Sequence, residues 1–225
     1  MLQAVVFDFD GLIVDSEWVI YERAQAAFAI HGHELTVSAW ATTVGLGSDA
    51  EDHAWRLLLE AAGVEAFDVA DYTAAYEAQD RSNPDHLPAL PGVEALVDSL
   101  TVAGVPIGIA SSSSTAWLDR HLDRLGLRAR FSAVVGSDAV GGVGKPDPAV
   151  YLKACADLGA DPTRSVALED SAHGVSAAKA AGMTAVAVPS QITRHNDFAH
   201  ADLVVHDLTH VTTDRLASLV ALSGR

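Results

Sequence analysis

Six short runs of β-branched and small apolar residues, at 3–9, 105–110, 132–136, 165–169, 184–188 and 202–205, punctuate the chain. Between the later runs lie "STAWLDRHLDRLG", "DPAVYLKACADLG" and "SAHGVSAAKAAG", each opening near Ser or Asp and closing on Gly, the signals of helix N-caps and C-terminal glycines. Strands that alternate with helices of this length are joined by crossovers, so they assemble a parallel sheet with helices on its faces. The chain is therefore expected to be an α/β protein.

The first and second runs are separated by roughly ninety residues without a strand signal, although a crossover needs only about a dozen. Within that gap "DSEWVIYERAQAAFAIHG", "SDAEDHAWRLLLEAAG" and "DVADYTAAYEAQD" have helical spacing, with apolar positions such as Val19, Ala26 and Phe28 on the first and Trp55, Leu58 and Leu59 on the second. The segment "RSNPDHLPALPG" at 81–92 carries three prolines and reads as the return hinge. The expected organisation is a Rossmann-like parallel-sheet core, residues 1–15 and 88–225, carrying an inserted α-helical cap over 16–87.

The first strand run ends in an unusual way. After "AVVF" come Asp8, then Asp10 two residues later, then Gly11. An unpaired buried charge costs several kcal/mol or picks up a proton, so the carboxylates need compensation. Ligands of parallel sheets bind beyond the carboxyl ends of the strands, and there the chain collects polar groups. Asp8 and Asp10 share a face as i and i+2 of an extended segment. The second strand delivers Ser111 and Ser112, the loop after the third Lys145, and the fourth Glu169 and Asp170. At an effective dielectric near 20, each close carboxylate pair costs about 4 kcal/mol. A divalent cation together with Lys145 removes most of that cost, and an all-oxygen donor set favours Mg²⁺.

"FDFDGLIVDSE", "IASSSS", "GKPDP" and "LEDSAHG", in this order and spacing, resemble the four motifs of the haloacid dehalogenase-like hydrolase superfamily, in its branch with a helical cap between the first two motifs, which includes β-phosphoglucomutase-like sugar phosphatases. The resemblance spans nearly the whole chain. It implies that Asp8 is a nucleophile forming an aspartyl-phosphate, and that Asp10 protonates the leaving oxygen and then deprotonates water. It also implies that Asp8, the Asp10 carbonyl and Asp170 hold Mg²⁺, with Glu169 acting through a water. Ser111, Ser112, Lys145 and the chain at Phe9 and Asp10 would receive the phosphoryl group.

Taken singly, these residues have plainer readings. Asp8 alone could end a strand, Ser111 could cap the helix that follows, and Lys145 could be a solvated loop residue; Asp15 reads as the cap of the first inserted helix. "GGVGKP" is not a phosphate-binding P-loop, because Ala139 and Pro146 stand where Gly and Ser or Thr are required. "HGH" at 31–33 reads as a helix end, and the single Cys155 as core.

The superfamily's dehalogenases lack a carboxylate at the position of Asp10, so its presence implies phosphoryl transfer. The related phosphomutases carry a cap histidine about where Ile20 stands and a cap arginine about where Asp49 stands, which makes a β-phosphoglucomutase-like phosphomutase the alternative and a phosphatase the choice. A non-catalytic phospholigand-binding protein is the third reading, opposed by the intact motif residues. The expected substrate is a small phosphorylated metabolite, a sugar or polyol phosphate, with Trp18, Tyr21 and the loop at 44–49 as candidate specificity contacts. A formal net charge of -16 argues against nucleic acid and anionic membrane surfaces as partners. No apolar run is long enough to span a membrane, and a cytoplasmic monomer is expected.

Overall fold

The computed structural model describes residues 1–46, 51–65, 67–79 and 86–223. Strands β1 (Ala4–Phe7), β2 (Ile107–Ala110), β3 (Ala133–Val135), β4 (Ser165–Glu169), β5 (Thr184–Ala187) and β6 (Leu203–Val204) form one sheet in the order β3-β2-β1-β4-β5-β6. All neighbouring pairs are parallel, and each strand falls within one of the six sequence runs. The four inner strands are buried from end to end, which is why they read as continuous apolar runs instead of alternating ones.

The two faces differ in bulk. Val5, Phe7, Ile107, Ile109, Val166 and Leu168 point to one side, where they meet helices α5 (Val93–Val102), α6 (Thr115–Arg124) and α9 (Thr213–Ser223). The other face is mostly alanine, with Val6, Ala110, Ala167, Ala185 and Ala187, and is covered by α7 (Ala149–Asp157) and α8 (Ala172–Ala180). Cys155 lies in that second cluster, its thiol pushed up to about 11 by burial, as a core residue should be. Helix α5 lies outside the helical patterns picked out in the sequence. Its buried positions Val93, Leu96, Val97 and Leu100 have the helical period, but it follows the proline-rich return segment directly and starts at Gly92, a position with φ of 88° and no side-chain cap.

Between β1 and α5 the described chain forms α1 (Ser16–Ile30), α2 (Val37–Trp40), α3 (Glu51–Ala61) and α4 (Val69–Glu77). These helices share a core of their own, built on Tyr21, Ala24, Phe28, Leu35, Leu58, Leu59 and Tyr72, into which Ile192 projects from the sheet domain. The buried stripe of α1 runs through Tyr21, Ala24, Ala27 and Phe28, so Val19 and Ala26 sit beside it and not on it; the period was legible but the face is rotated. His31 ends α1 and stacks on Tyr72, while His33 Nδ1 lies 2.7 Å from the Tyr72 hydroxyl, so "HGH" packs the insert. The outgoing and returning chains run side by side, with Leu90 N–H donating to Ile13 O at 2.8 Å. Part of the return hinge, 81–85, and the loop residues 47–49, Asp49 among them, lie outside the described residues. Among the described residues no helix is long and apolar enough to cross a membrane.

Candidate active site

The sheet order places β1 between β2 and β4, where the winding reverses and parallel sheets open a crevice. Asp8 extends β1 by one ladder bond, its N–H donating to Leu168 O at 2.9 Å, and so stands at the mouth of that crevice. Ser111 follows β2, Glu169 ends β4 and Asp170 comes next; the loop after β3 brings Lys145. All five side chains are buried. Lys145 Nζ lies 2.5 Å from both Asp8 Oδ1 and Glu169 Oε1. Burial works against the ammonium, but the Asp8 and Glu169 charges outweigh it and hold Lys145 above an ordinary lysine.

The acidic cluster is asymmetric. Glu169 is saturated: Oε1 accepts from Lys145 and from the Tyr151 hydroxyl at 2.6 Å, and Oε2 accepts from the N–H and Oγ of Ser171. Asp170 is not, since its Oδ2 is buried without a hydrogen-bond partner. Ligand atoms of Asp8, Glu169 and Asp170 lie within 4.8 Å of one another. Burial, then Asp8 and Glu169, push the Asp170 carboxyl well up, and burial does the same to Asp8 against the pull of Lys145. An orphaned carboxylate oxygen in an all-oxygen cluster fits a hard divalent cation. The backbone preserves that opening: Gly11 has φ +80°, and a Cβ there would lie 2.2 Å from Asp170 Oδ2. Asp8 and Asp170 are the side chains suited to direct ligation, and the saturation of Glu169 suits it to a contact through water.

Asp10 is held by three donors, Ser16 Oγ at 2.6 Å, Ser113 Oγ at 2.7 Å and Trp117 Nε1 at 3.1 Å. The serine run divides its labour. Ser114 is the N-cap of α6, accepting from Trp117 N–H, so Ser111 is not that cap. Ser111 Oγ instead accepts from Ser113 N–H at 3.0 Å. Ser112 Oγ donates to Gly45 O and accepts from Lys145 N–H, which ties the insert to the lysine loop and uses up the side chain, leaving its backbone for a ligand. The Phe9 side chain is wholly in the core, so of this residue only the backbone is free to address a ligand. Asp15 occupies the N-cap position of α1 but makes no side-chain cap bond, contrary to the sequence expectation.

Asp8, Asp10, Ser111, Ser112, Lys145 and Asp170 line a cavity of about 570 Å³ roofed by the insert, and Glu169 stands behind that lining. The roof is Glu17, Ile20, Trp40, Ala54, Trp55, Leu58 and Tyr76, together with Thr43 and the expected loop residues Val44, Gly45 and Leu46. Trp18 and Tyr21 are not in it: the Trp18 indole bonds Glu22 and the buried Tyr21 hydroxyl bonds Leu35 O. They point away from the cavity because one turn of α1 presents Glu17 and Ile20 instead, and Trp40, Trp55 and Tyr76 come from separate helices whose mutual placement no local pattern reveals. Besides Ser112, His173 and Asn196 hold the insert down through Val44 O and Ala41 O.

Burial, and then the charge of Asp10, push Glu17 up to about 8. A raised carboxyl is a stabilising feature only while protonated, fully so below the unfolded value near 4.5 and lost as pH rises through about 8. Glu17→Gln is therefore expected to leave stability nearly unchanged at pH 4 and to raise it by about 2 kcal/mol at pH 9, a figure discounted for the cavity-facing side of the group. Urea unfolding at the two pH values checks this; an equal effect at both would contradict it.

The profile of the family described as "Haloacid dehalogenase-like hydrolase" matches residues 5–188. The chain belongs to the haloacid dehalogenase-like hydrolases. Among curated members, "Putative phosphatase YhcW" of Bacillus subtilis is 37% identical over 193 residues, covering 86% of each chain. Hexitol phosphatase B of Escherichia coli K12 is 32% identical over 216 residues, covering 95% of this chain and 96% of that protein. A haloacid dehalogenase family hydrolase from Deinococcus radiodurans, solved with bound phosphate and sodium, superposes with a TM-score of 0.74 at 28% identity over 99% of this chain and 96% of that one. The four motifs that carry the resemblance in the sequence are the segments that converge on the Asp8 crevice.

Proposed function

We propose that this hydrolase is a Mg²⁺-dependent phosphatase of a small sugar or polyol monophosphate, working through an aspartyl-phosphate on Asp8. One observation carries the reading: Asp8 and Asp10 line a single cavity with Ser111, Lys145 and Asp170. In the first step the Asp8 carboxylate forms a bond to phosphorus while the ester P–O bond breaks, and Asp10 supplies the proton to the leaving oxygen. In the second, Asp10 takes a proton from the water that attacks phosphorus, and Asp8 leaves as a carboxylate. Lys145, Ser111 and backbone N–H groups near Phe9 and Ser112 neutralise and orient the phosphoryl oxygens. Bound Mg²⁺, held by Asp8 and Asp170 with the Asp10 carbonyl, would offset the charge of the cluster and of the phosphoryl group.

The cavity supports a neutral leaving group. Aromatic faces of Trp40, Trp55 and Tyr76 suit the C–H faces of a sugar or polyol, and among the described lining residues Lys145 is the one lysine or arginine. Ile20, an apolar side chain, stands where a mutase would carry histidine. The kinship with hexitol phosphatase B points the same way. Substrate exchange then requires the hydrogen bonds at Ala41, Val44 and Gly45 to release, so that the insert opens and closes over the site.

The test is phosphate release across a panel of phosphometabolites, with and without exhaustive chelation, together with ³¹P NMR on β-glucose 1-phosphate containing catalytic glucose 1,6-bisphosphate. Chelation is expected to abolish release, and inorganic phosphate to accumulate ahead of glucose 6-phosphate. Full activity in chelator would contradict the metal assignment, and faster build-up of glucose 6-phosphate would make the protein a mutase.

A further inference from the structure

We propose that Trp117 is a positioning residue that fixes which oxygen of Asp10 carries the transferred proton, an inference resting on the acid–base reading of Asp10 above. Three donors meet that carboxylate, and they are not equivalent. Ser16 Oγ and Trp117 Nε1 address Oδ1, at 2.6 Å and 3.1 Å, whereas Ser113 Oγ addresses Oδ2 at 2.7 Å. A serine hydroxyl donates or accepts as required, but an indole N–H only donates. Oδ1 therefore stays the acceptor in both steps, and the proton rides on Oδ2, whose partner Ser113 lines the cavity together with Asp10.

The mounting of the two Oδ1 donors differs as well. Ser16 is the first residue of α1 and travels with the insert. Trp117 sits in the first turn of α6, its backbone N–H on the Ser114 cap, its ring centroid 4.1 Å from that of buried His121 and its side chain packed on the main core. When the insert lifts and Ser16 leaves, Trp117 is the Oδ1 donor that remains, opposite Ser113 on Oδ2. It keeps the carboxylate aimed at the leaving oxygen without touching substrate.

The discriminating property is the leaving group, because p-nitrophenolate departs with little protonation and an alkoxide does not. We compare kcat/KM for p-nitrophenyl phosphate and for the best aliphatic phosphate of the panel in wild type, Asp10→Asn, Trp117→Phe and Trp117→His, at a temperature where circular dichroism shows each variant folded. Trp117→Phe is expected to lose about tenfold on the aliphatic ester and under about twofold on the aryl ester, as a milder copy of the selective loss in Asp10→Asn. Trp117→His, which retains a ring N–H, recovers most of the aliphatic rate. Equal losses on both esters in Trp117→Phe, no loss at all, or failure of His to recover more than Phe would overturn the inference, provided Asp10→Asn is selective. Equal losses in Asp10→Asn would overturn the acid–base reading itself, and this inference with it.

Discussion

Asp8→Asn is expected to abolish phosphate release from every phosphomonoester, a loss of about 10⁴-fold or more, while the protein stays folded. The carboxamide is a poor nucleophile and a weaker ligand for a hard cation, and the neighbouring carboxylates have other tasks, Asp170 with its open Oδ2 being suited to the cation. Glu169 is committed to Lys145, Tyr151 and Ser171, and Asp10 is held by two serines and an indole. Asp10→Asn differs in kind, because it removes proton transfer and leaves the nucleophile, and a slowing of about 10² to 10⁴ is expected. Steady-state assays of both variants decide the assignment; near-normal turnover by Asp8→Asn would end it.

Lys145→Met is expected to cost both activity and stability. The lysine lies 2.5 Å from two buried carboxylates, and removing one partner of such a cluster leaves the others uncompensated, at about 3 kcal/mol or more. Burial already pushes Asp8 up, with Lys145 opposing it; without the ammonium the carboxyl rises further, so the ionised nucleophile survives only at higher pH. The expected result is a fall in kcat of about 10³, with the residual activity displaced to alkaline pH. Unfolding in chelator and a pH–rate profile test the two halves. Unchanged stability together with an unshifted profile would mean that the lysine is not integral to the cluster.

The sheet was readable because inner parallel strands are buried on both faces and appear as unbroken apolar runs, which helices bounded by Ser or Asp and Gly then separate. The chemistry at its edge was readable for a related reason: Asp8, Glu169 and Asp170 sit at or one residue past a strand end and Asp10 three residues past, so sequence position alone places them together. Helix α5 was obscured by the prolines before it. The cavity roof was readable only in part: the described residues of the loop at 44–49, Val44, Gly45 and Leu46, do line it, but the helical positions did not announce themselves. Trp18 and Tyr21 are adjacent to the hinge but turn away from the site, while Glu17 and Ile20, one turn apart on the same helix, face it; a rotation of α1 that is fixed by tertiary contacts, Phe28 on Trp55 and Tyr72 among them, decides between them. The hydrogen bond from Trp117 to Asp10 spans 107 residues and leaves no local trace, although a tryptophan three residues past a helix cap at the site's edge was a signal to examine.

The covalent intermediate is the centre of the account, and it can be caught chemically. Enzyme quenched during turnover of its best substrate and reduced with borohydride should yield homoserine at position 8, found by peptide mass mapping, and none in Asp8→Asn or without substrate. Homoserine at another carboxylate, or none during rapid phosphate release, would contradict nucleophilic catalysis by Asp8.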